Sequence, residues 1–139
     1  MDRHTPQQRS YNMSQVKSKN TKPEIFTFAI LDKLKIKYEK HYKISGRPDI
    51  AILDKKIAVF INGEFWHGRY FKKERDEYQD FWIKKISTNI KRDRKNYRFL
   101  KKEGWVVIKI WDKDLKKNPE KEIKKILKAL NVKQTLSGS

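Results

Sequence analysis

Two short apolar runs, separated by a charged turn, constrain the fold of this chain more than any other feature. Residues 49–53 and 57–61 are rich in β-branched side chains, and Asp54-Lys55-Lys56 connects them. Runs of this length and composition are typical of β-strands, and so short a connection joins strands only as an antiparallel pair. The pattern therefore predicts a β-hairpin.

The predicted hairpin determines which distant residues become neighbours. With a turn of two or three residues, Asp49 at the start of the first strand faces Phe60 or Ile61 near the end of the second. The loop that follows reads Gly63-Glu64-Phe65-Trp66-His67-Gly68, so it carries one imidazole and two adjacent aromatic rings. We therefore expect a carboxylate, an imidazole and exposed aromatic side chains at one end of the hairpin.

Helical periodicity dominates the rest of the chain. Thr21-Lys22-Pro23-Glu24 has the Thr-x-x-Glu spacing of a capping box and opens a first predicted helix. Over residues 80–102, apolar side chains recur every three or four positions, with Asp93 as the one polar member of the stripe. A strand over 105–111 and a helix over 119–130 follow. The inward positions are predicted as Ile25, Phe28, Ala29 and Leu31 or Leu34 in the first helix, Ile83, Ile86, Ile90, Tyr97 and Leu100 in the long helix, and Ile123, Ile126, Leu127 and Leu130 in the last.

These elements predict one α/β domain with a central mixed sheet flanked by helices. The 139 residues, 37% of them apolar, suffice for a single core. We assign residues 21–132 to the domain, with 38–44 as an extended edge. Residues 1–20 are polar and basic, and are predicted to be either an arm that orders on DNA or a disordered leader; residues 133–139 are expected to form a frayed, disordered tail.

Charge indicates the class of partner. Lysine and arginine number 35 against 17 aspartate and glutamate, which gives a formal net charge of +18. Such an excess is typical of proteins that bind nucleic acid, and a solvated lysine-rich surface is the alternative. The sequence has no apolar run long enough to span a membrane and no signal peptide, so we expect a cytoplasmic, nucleoid-associated protein.

The absence of cysteine limits the metal chemistry. Disulfides and thiolate sites are excluded, so a metal must bind oxygen or imidazole ligands, and Mg²⁺ is the expected ion. Asp49 at the strand start can hold Mg²⁺ together with a backbone carbonyl near Ile61 on the facing strand. His67 can then accept a proton from water, which is the chemistry that hydrolysis of a phosphodiester requires.

Each of these residues also has a plainer interpretation. A Pro-Asp pair before a strand is often turn chemistry, and a single histidine is often structural. Glu24 either completes the capping box by accepting a hydrogen bond from the Thr21 amide or serves as a further carboxylate directed at the metal or at His67. The joint placement of Asp49 and His67 favours the catalytic interpretation.

Short sequence blocks extend in one collinear order over residues 9–115. They are Arg9-Ser10-x-Asn12-Met13-Ser14, Thr21-x-x-Glu24, Gly46-Arg47-Pro48-Asp49, Gly63-x-Phe65-Trp66-His67, Phe81-Trp82-x-x-Lys85-x-x-x-Asn89-x-x-Arg92-Asp93, and Gly104-Trp105 before a strand that ends in Trp111. Together they resemble the very short patch repair (Vsr) endonucleases. The resemblance is specific because no single block carries it.

The resemblance implies a restriction-endonuclease-like fold, a variant of the PD-(D/E)XK nucleases, in an enzyme that nicks DNA 5′ to the thymine of a T·G mismatch. By position, the expected site residues are Asp49 as the metal-binding carboxylate, Ile61 as the source of a carbonyl ligand, His67 as the catalytic histidine and Glu24 as a supporting catalytic carboxylate. The expected DNA contacts are Met13, Phe65, Trp66, Trp82, Lys85, Asn89 and Arg92. The three aromatic residues are expected to intercalate beside the mismatch, where unstacking costs less; filling the core is their alternative role.

The chain departs from the family at several positions. The family usually holds a structural zinc with cysteines and a histidine, whereas the matching residues here are Glu64, Arg69, Phe71 and Lys113. No zinc site is therefore expected, and the loop after His67 is predicted to be held by packing of Tyr70 and Phe71 or by an ion pair of Glu64 with a nearby base.

Two further departures concern the catalytic positions. Asn62 stands where the family has a second histidine and cannot act as an acid or base, which predicts His67 as the lone imidazole near the hairpin. Ile61 and Gly63 replace the Glu-x-Lys pair of the wider nuclease group, and Glu64 is a candidate substitute carboxylate.

We therefore expect a monomeric, Mg²⁺-dependent DNA nicking endonuclease that acts on mismatched double-stranded DNA. Two alternatives stay open: a homing or restriction-type endonuclease that cuts matched DNA, and a non-catalytic DNA-binding protein. Asp49 and His67 disfavour the last alternative, because binding alone needs neither.

Overall fold

A computed structural model describes the backbone of residues 21–138 and the side chains of residues 21–131. The predicted arm at 1–20, with Met13, lies outside the described residues. The helices and strands follow in the order α1 (Lys22–Lys33), β1 (Glu39–Lys40), β2 (Ile50–Ile52), β3 (Ile57–Asn62), α2 (Phe71–Glu74), α3 (Asp80–Lys102), β4 (Val106–Trp111), α4 (Asp112–Lys117) and α5 (Pro119–Gly138). Short 3₁₀ turns occupy Leu53–Lys55 and Arg75–Glu77.

The strands form one four-stranded sheet in the order β1-β2-β3-β4. β2 pairs antiparallel with β1 and with β3, whereas β3 and β4 pair parallel. Parallel neighbours need a crossover connection, which α2 and α3 supply between β3 and β4. The predicted mixed sheet flanked by helices is confirmed, and the segment 38–44 contributes the short edge strand β1.

The predicted hairpin is confirmed in position and register. β2 and β3 are joined by the 3₁₀ turn that ends at Lys56, which adopts a left-handed conformation with φ of 50°. Ile50 pairs with Val59, so Asp49, one residue before the strand, lies opposite Phe60. Asp49 thus reaches the end of β3.

Helices cover both faces of the sheet. On one face, Ile57 and Val59 of β3 belong to the larger apolar cluster, together with residues of α1 and α5. On the other face, Ala58 and Phe60 cluster with Leu100 of α3. Because successive strand residues point to opposite faces, α3 lies across the sheet from α1 and α5.

The buried face of α1 differs from the prediction. The expected inward residues Ile25, Ala29 and Leu34 are exposed. The inward face instead carries Glu24, Thr27, Phe28 and Leu31. Thr27 is tolerated there because its hydroxyl donates a hydrogen bond of 2.9 Å to the Pro23 carbonyl. A search for apolar side chains alone misplaces this face, since two of its residues are polar and one of them, Glu24, lines a cavity rather than the core.

The C-terminal half follows the prediction closely. α3 has the expected bounds, and β4 begins one residue later than expected. The inward positions are confirmed, with Ile86, Leu100, Ile123 and Ile126 buried and the others half-buried. α5 continues to Gly138 and so extends into the segment predicted as a tail. No described helix is long and apolar enough to cross a membrane.

Candidate active site

A cavity of about 720 Å³ opens at the C-terminal end of β3, where α1, α3 and the loop after β3 come together. Its walls include Glu24, Asp49, Ile61, Trp66, His67, Arg92 and Asp93. All of these except Asp93 are predicted catalytic, metal-binding or DNA-binding residues, and they come from distant parts of the sequence. The fold therefore gathers most of the predicted site around one cavity.

Asp49 occupies a largely buried position beside the end of β3. Its side chain is 17% exposed, and its Oδ2 accepts a hydrogen bond of 2.6 Å from the backbone N–H of Ile61. Burial raises the pKa of Asp49 to about 7, and the Glu24 carboxylate adds to the rise, whereas the Ile61 N–H and His67 oppose it. A carboxylate destabilised in this way gains from binding a proton or a cation.

Ile61 contacts Asp49 through its backbone N–H, not through the carbonyl that is predicted as a metal ligand. Ile61 also lines the cavity. The role of its carbonyl as a ligand stays a prediction.

His67 is paired with Asp93, an acidic residue of α3 that our prediction does not assign to the site. Nδ1 of His67 lies 2.6 Å from Oδ2 of Asp93. A carboxylate can only accept a hydrogen bond, so this contact places the proton of a neutral His67 on Nδ1 and leaves the lone pair on Nε2. A general base needs this arrangement. The sequence carries a signal for Asp93, since it is the one polar member of an apolar stripe.

The glycine after His67 lets the loop approach α3. Gly68 has a φ of +67°, and a Cβ added there would lie 2.5 Å from Cδ1 of Ile90. Glycine meets both conditions, whereas a larger residue would push the loop away from the helix. The close approach keeps His67 within reach of Asp93.

Glu24 points into the protein from the first turn of α1, where it is 3% exposed. The Thr21 side chain makes no capping hydrogen bond, so the Thr21 half of the predicted capping box does not form. Oε2 of Glu24 lies 3.2 Å from Nε2 of His41, whose Nδ1 lies 3.8 Å from Oδ1 of Asp49. The prediction that His67 is the lone imidazole near the hairpin is therefore wrong. No local pattern marks His41, because its partners are distant in the sequence.

The three aromatic residues predicted to intercalate form one cluster beside the cavity. Phe65, Trp66 and Trp82 are half-buried and contact one another edge to face, with ring centroids 5.5, 5.4 and 5.4 Å apart. Phe81, which is 63% exposed, packs against Trp82. The Lys85 Nζ lies 5.5 Å from the centroid of the Trp66 ring. The aromatic rings and the positively charged Lys85 side chain therefore lie next to each other.

Asn89 and Arg92, two other predicted DNA contacts, occupy different environments on α3. Asn89 is 9% exposed, and its side chain donates a hydrogen bond of 3.1 Å to the Trp66 carbonyl, which holds the aromatic loop on the helix. Arg92 is 57% exposed and lines the cavity. Both DNA contacts stay predictions. The exposed position of Arg92 favours a DNA contact more directly than the buried position of Asn89 does.

Asn62, at the position of the family's second histidine, is buried at the end of β3. Its side chain donates a hydrogen bond of 2.9 Å to the hydroxyl of Tyr97. Burial raises the pKa of Tyr97 to about 12, so this hydroxyl keeps its proton at neutral pH. The pair therefore supports the end of the strand, and the Tyr97 hydroxyl is not ionised to act as a base at neutral pH.

Three of the four positions that the resemblance matches to zinc ligands are joined here by polar contacts. Oε2 of Glu64 accepts a hydrogen bond of 2.9 Å from the Lys113 N–H and lies 3.4 Å from Nη1 of Arg69. Arg69 also donates to Oδ1 of Asp114 at 2.9 Å and lies 5.3 Å from the centroid of the Trp111 ring. These contacts tie the loop after β3 to the start of α4, as an ion pair of Glu64 with a nearby base is predicted to do.

The contact between Arg69 and Asp114 is reflected in their ionisation. Its hydrogen bond to Asp114 raises the pKa of Arg69, and the same bond lowers the pKa of Asp114. Both groups are therefore charged at neutral pH. Phe71, the fourth position, is buried and packs against Tyr78, with ring centroids 6.2 Å apart.

Arg69→Ala is expected to destabilise the fold by about 1–2 kcal/mol, because it removes a charge-assisted hydrogen bond, a second ion pair and a cation–π contact. Urea unfolding at neutral pH and low salt measures the loss, which should shrink as salt rises. Since the folded-state pKa of Asp114 is lowered, the stability from this pair is present above the ordinary aspartate pKa and disappears as pH falls through the folded value. The difference in stability between wild type and Arg69→Ala should therefore narrow in acid, to the part that comes from the cation–π contact.

Lys116→Ala provides the matched control. It breaks an exposed ion pair with Asp112 on α4, the short helix that also carries Asp114. Nζ of Lys116 and Oδ2 of Asp112 are 3.6 Å apart. Such a pair is expected to contribute less than about 0.5 kcal/mol. Equal losses for the two variants would show that Arg69 contributes no more than an ordinary surface charge.

Comparisons with known proteins identify the family. Residues 1–73 match the family model described as DNA mismatch endonuclease Vsr. The type II nicking enzyme V.HpaIIP of Haemophilus parainfluenzae is 43% identical, over 94% of this chain and 96% of the relative. The type II nicking enzyme V.NmeDIP of Neisseria meningitidis serogroup C is 41% identical, over 99% and 95%. The DNA mismatch endonuclease Vsr of Escherichia coli strain K12 is 29% identical, over 80% and 73%.

A solved structure supports the fold. The catalytic domain of the homing endonuclease I-Bth0305I has a TM-score of 0.57 and 23% identity, over 82% of this chain and 98% of that domain. The likeness concerns the fold alone and confirms the restriction-endonuclease-like architecture. Because the family model matches residues 1–73 of 139 and the nicking enzymes match almost the whole sequence, the chain belongs to the Vsr family of DNA mismatch endonucleases and is a DNA endonuclease.

Proposed function

We propose that this protein nicks double-stranded DNA in a Mg²⁺-dependent reaction, 5′ to the thymine of a T·G mismatch. The observation that carries the proposal is the convergence of Glu24, Asp49 and His67 on one cavity beside the aromatic cluster. The family description supports a mismatched substrate, and the names of the relatives support the cutting of one strand.

The oxygen atoms at the cavity fit Mg²⁺. Asp49 and the Ile61 carbonyl would hold the ion, with Glu24 in support, and such ligands are those that Mg²⁺ prefers. The raised pKa of Asp49, caused chiefly by burial, fits this role because a cation relieves the cost of the buried charge. The bound ion would offset the negative charge that develops on the phosphate during hydrolysis.

His67 is proposed to accept a proton from the attacking water on Nε2. Asp93 fixes the ring through Nδ1 and stabilises the imidazolium that forms. Asp93 acts through His67, so we describe it as a positioning residue.

The aromatic cluster and the basic helix would provide DNA recognition. A mismatched step is easier to unstack than a matched one, so insertion of Phe65, Trp66 and Trp82 would select deformable steps. Lys85, Asn89 and Arg92 on α3 are proposed DNA contacts, as is Met13 in the arm outside the described residues. The net charge of +18 adds attraction that is independent of sequence.

The proposed site is built from one chain, which supports action as a monomer. A chromosomal DNA substrate would place this activity in the cytoplasm, at the nucleoid.

A nicking assay with Mg²⁺ on matched and T·G-containing duplexes of varied sequence tests the proposal. We expect one cut, in the thymine strand of the mismatched duplex, that chelation of the metal abolishes. Equal cutting of both duplexes would indicate an endonuclease for matched DNA. Binding without cutting in any duplex would indicate a DNA-binding protein, and activity in the presence of a chelator would overturn the metal requirement.

Trp66→Ala is expected to weaken binding to the mismatched duplex by about 10-fold or more, because a stacked ring contributes about 1–3 kcal/mol per base. Binding to matched duplex should change less than about threefold, since that complex gains little from insertion of the aromatic ring. Fluorescence anisotropy on the two duplexes at one salt concentration measures both affinities.

Phe99→Ala is the control for this prediction, because Phe99 is a 50% exposed aromatic residue in the last turns of the same helix that carries Trp82. It should leave both affinities unchanged. A loss for Trp66→Ala that is equal on both duplexes would show that the ring serves packing and not mismatch recognition.

A further inference from the structure

His41 lies between the two buried carboxylates of the site. Its Nε2 is 3.2 Å from Oε2 of Glu24, and its Nδ1 is 3.8 Å from Oδ1 of Asp49. The three side chains come from α1, from the end of β1 and from the start of β2, yet one ligand atom from each lies within 4.8 Å of the others. Two oxygen donors and one nitrogen donor therefore converge on a small volume.

The backbone holds the imidazole in this position. The N–H of His41 donates a hydrogen bond of 3.0 Å to the carbonyl of Asp49, and His41 adopts a left-handed φ of 48°. Its ring also meets Phe28 edge to face, with centroids 6.3 Å apart. Left-handed conformations are uncommon for residues other than glycine and often accompany functional constraints. The geometry directs the ring toward the two carboxylates.

The inner nitrogen of His41 is left without a hydrogen bond. Nε2 is buried, and within the described part of the chain it has no hydrogen-bonding partner, although a carboxylate oxygen of Glu24 lies 3.2 Å away. A buried polar atom without a partner is costly and calls for a ligand. A divalent cation between an imidazole nitrogen and carboxylate oxygens would satisfy the nitrogen and both negative charges.

We propose that His41 is a metal ligand that, with Glu24 and Asp49, forms a site for divalent transition-metal ions that accept imidazole, such as Co²⁺. Imidazole suits transition metals, whereas Mg²⁺ prefers oxygen ligands and retains water. The inference rests on the proposed function only in that both use Asp49 and Glu24. It implies that the protein binds Co²⁺ more tightly than Mg²⁺, and that His41 accounts for the difference.

The test titrates the DNA-free full chain with Co²⁺ and, separately, with Mg²⁺, by calorimetry and by the visible absorption of Co²⁺. His41→Asn is expected to weaken Co²⁺ binding at least tenfold and to change Mg²⁺ binding less than threefold. Asparagine tolerates the left-handed backbone, so the fold should persist, and unfolding midpoints check this. Glu24→Gln and Asp49→Asn should weaken the binding of both ions.

His4→Asn is the matched control, because it removes another imidazole of the same chain and should leave Co²⁺ affinity unchanged. Equal weakening of Co²⁺ and Mg²⁺ by His41→Asn would assign His41 a structural role and overturn the proposal. Wild-type affinity for Co²⁺ no greater than for Mg²⁺ would also overturn it. If the wild type instead binds Co²⁺ through His41 but never nicks DNA, the proposed function fails and the metal site stands.

Discussion

Asp49→Asn is expected to lower the nicking rate by at least about 10³-fold, a loss of about 4 kcal/mol in transition-state stabilisation. Asparagine keeps an oxygen that can accept the Ile61 N–H, so the local geometry should be preserved. It lacks the charge needed to hold a divalent cation. DNA should bind as tightly as before or more tightly, because one negative charge that repels the phosphate is removed. Single-turnover nicking with saturating enzyme and anisotropy with labelled duplex separate the two effects.

The same substitution is expected to stabilise the fold above neutral pH. Burial raises the pKa of Asp49 to about 7 from its ordinary 3.8. Because the folded-state pKa is the higher one, wild-type stability falls as pH rises from about 4 to 7, and the full cost persists above 7. Without metal at about pH 8, the unfolding free energy of Asp49→Asn should exceed that of wild type by about 2–4 kcal/mol, and near pH 4 the two should agree.

Asp54→Asn, in the exposed turn of the same hairpin, controls for the loss of an aspartate charge. It should change neither the nicking rate nor the pH dependence of unfolding. If Asp49→Asn nicks at the wild-type rate, Asp49 holds no catalytic metal. If its stability gain is the same in acid as in base, burial does not govern the ionisation of Asp49.

The hairpin and the long helix could be predicted from sequence because their signals are local. Two β-branched runs with a short connection allow one pairing, which places Asp49 opposite Phe60 and next to the loop with His67. A stripe with three-and-four spacing fixes the bounds of α3 in the same way. Asp93 could also have been assigned to the site, since a carboxylate inside an apolar stripe needs a polar partner.

The inward face of α1 and the role of His41 depend on contacts that no local pattern records. Glu24 is buried where α1 borders the cavity, and Thr27 is buried with its hydroxyl bonded to the Pro23 carbonyl, so polar residues replace apolar ones on the inner face. His41 comes to Asp49 through the pairing of β1 with β2, and a two-residue strand carries almost no sequence signal. Such residues can be assigned to the site only when tertiary distances are known.

The contacts made by the residues at the expected zinc-ligand positions could also be predicted only in part. The sequence shows that Glu64, Arg69 and Lys113 cannot bind zinc as cysteines do, and it suggests an ion pair in compensation. It does not identify Asp114 as the strongest partner of Arg69, because that contact joins a loop to a helix that is not apparent in the sequence pattern. Ion pairs of Arg69 with Glu64 and Asp114 thus hold the loop where the resemblance would place a metal centre.

His67→Ala is expected to lower the nicking rate by about 10²–10⁴-fold, the usual contribution of a general base, with DNA affinity nearly unchanged. Asp93→Asn should cost less, about 10–10²-fold, because an amide can still contact Nδ1 but does not stabilise an imidazolium. The residues act as a unit in this scheme, so the double variant should nick no more slowly than His67→Ala alone.

Asp80→Asn, exposed at the start of the same helix as Asp93, should leave the single-turnover rate unchanged and so controls for the loss of a helix carboxylate. If the rate losses of the two single variants multiply in the double variant, His67 and Asp93 contribute separately. Asp93 would then face the substrate or the metal rather than the imidazole. Full activity of His67→Ala would require another group to accept the proton of water. Among the described residues lining the cavity, Asp112 would then be the carboxylate to test, since Glu24 and Asp49 are committed to the cation and Asp93 to His67.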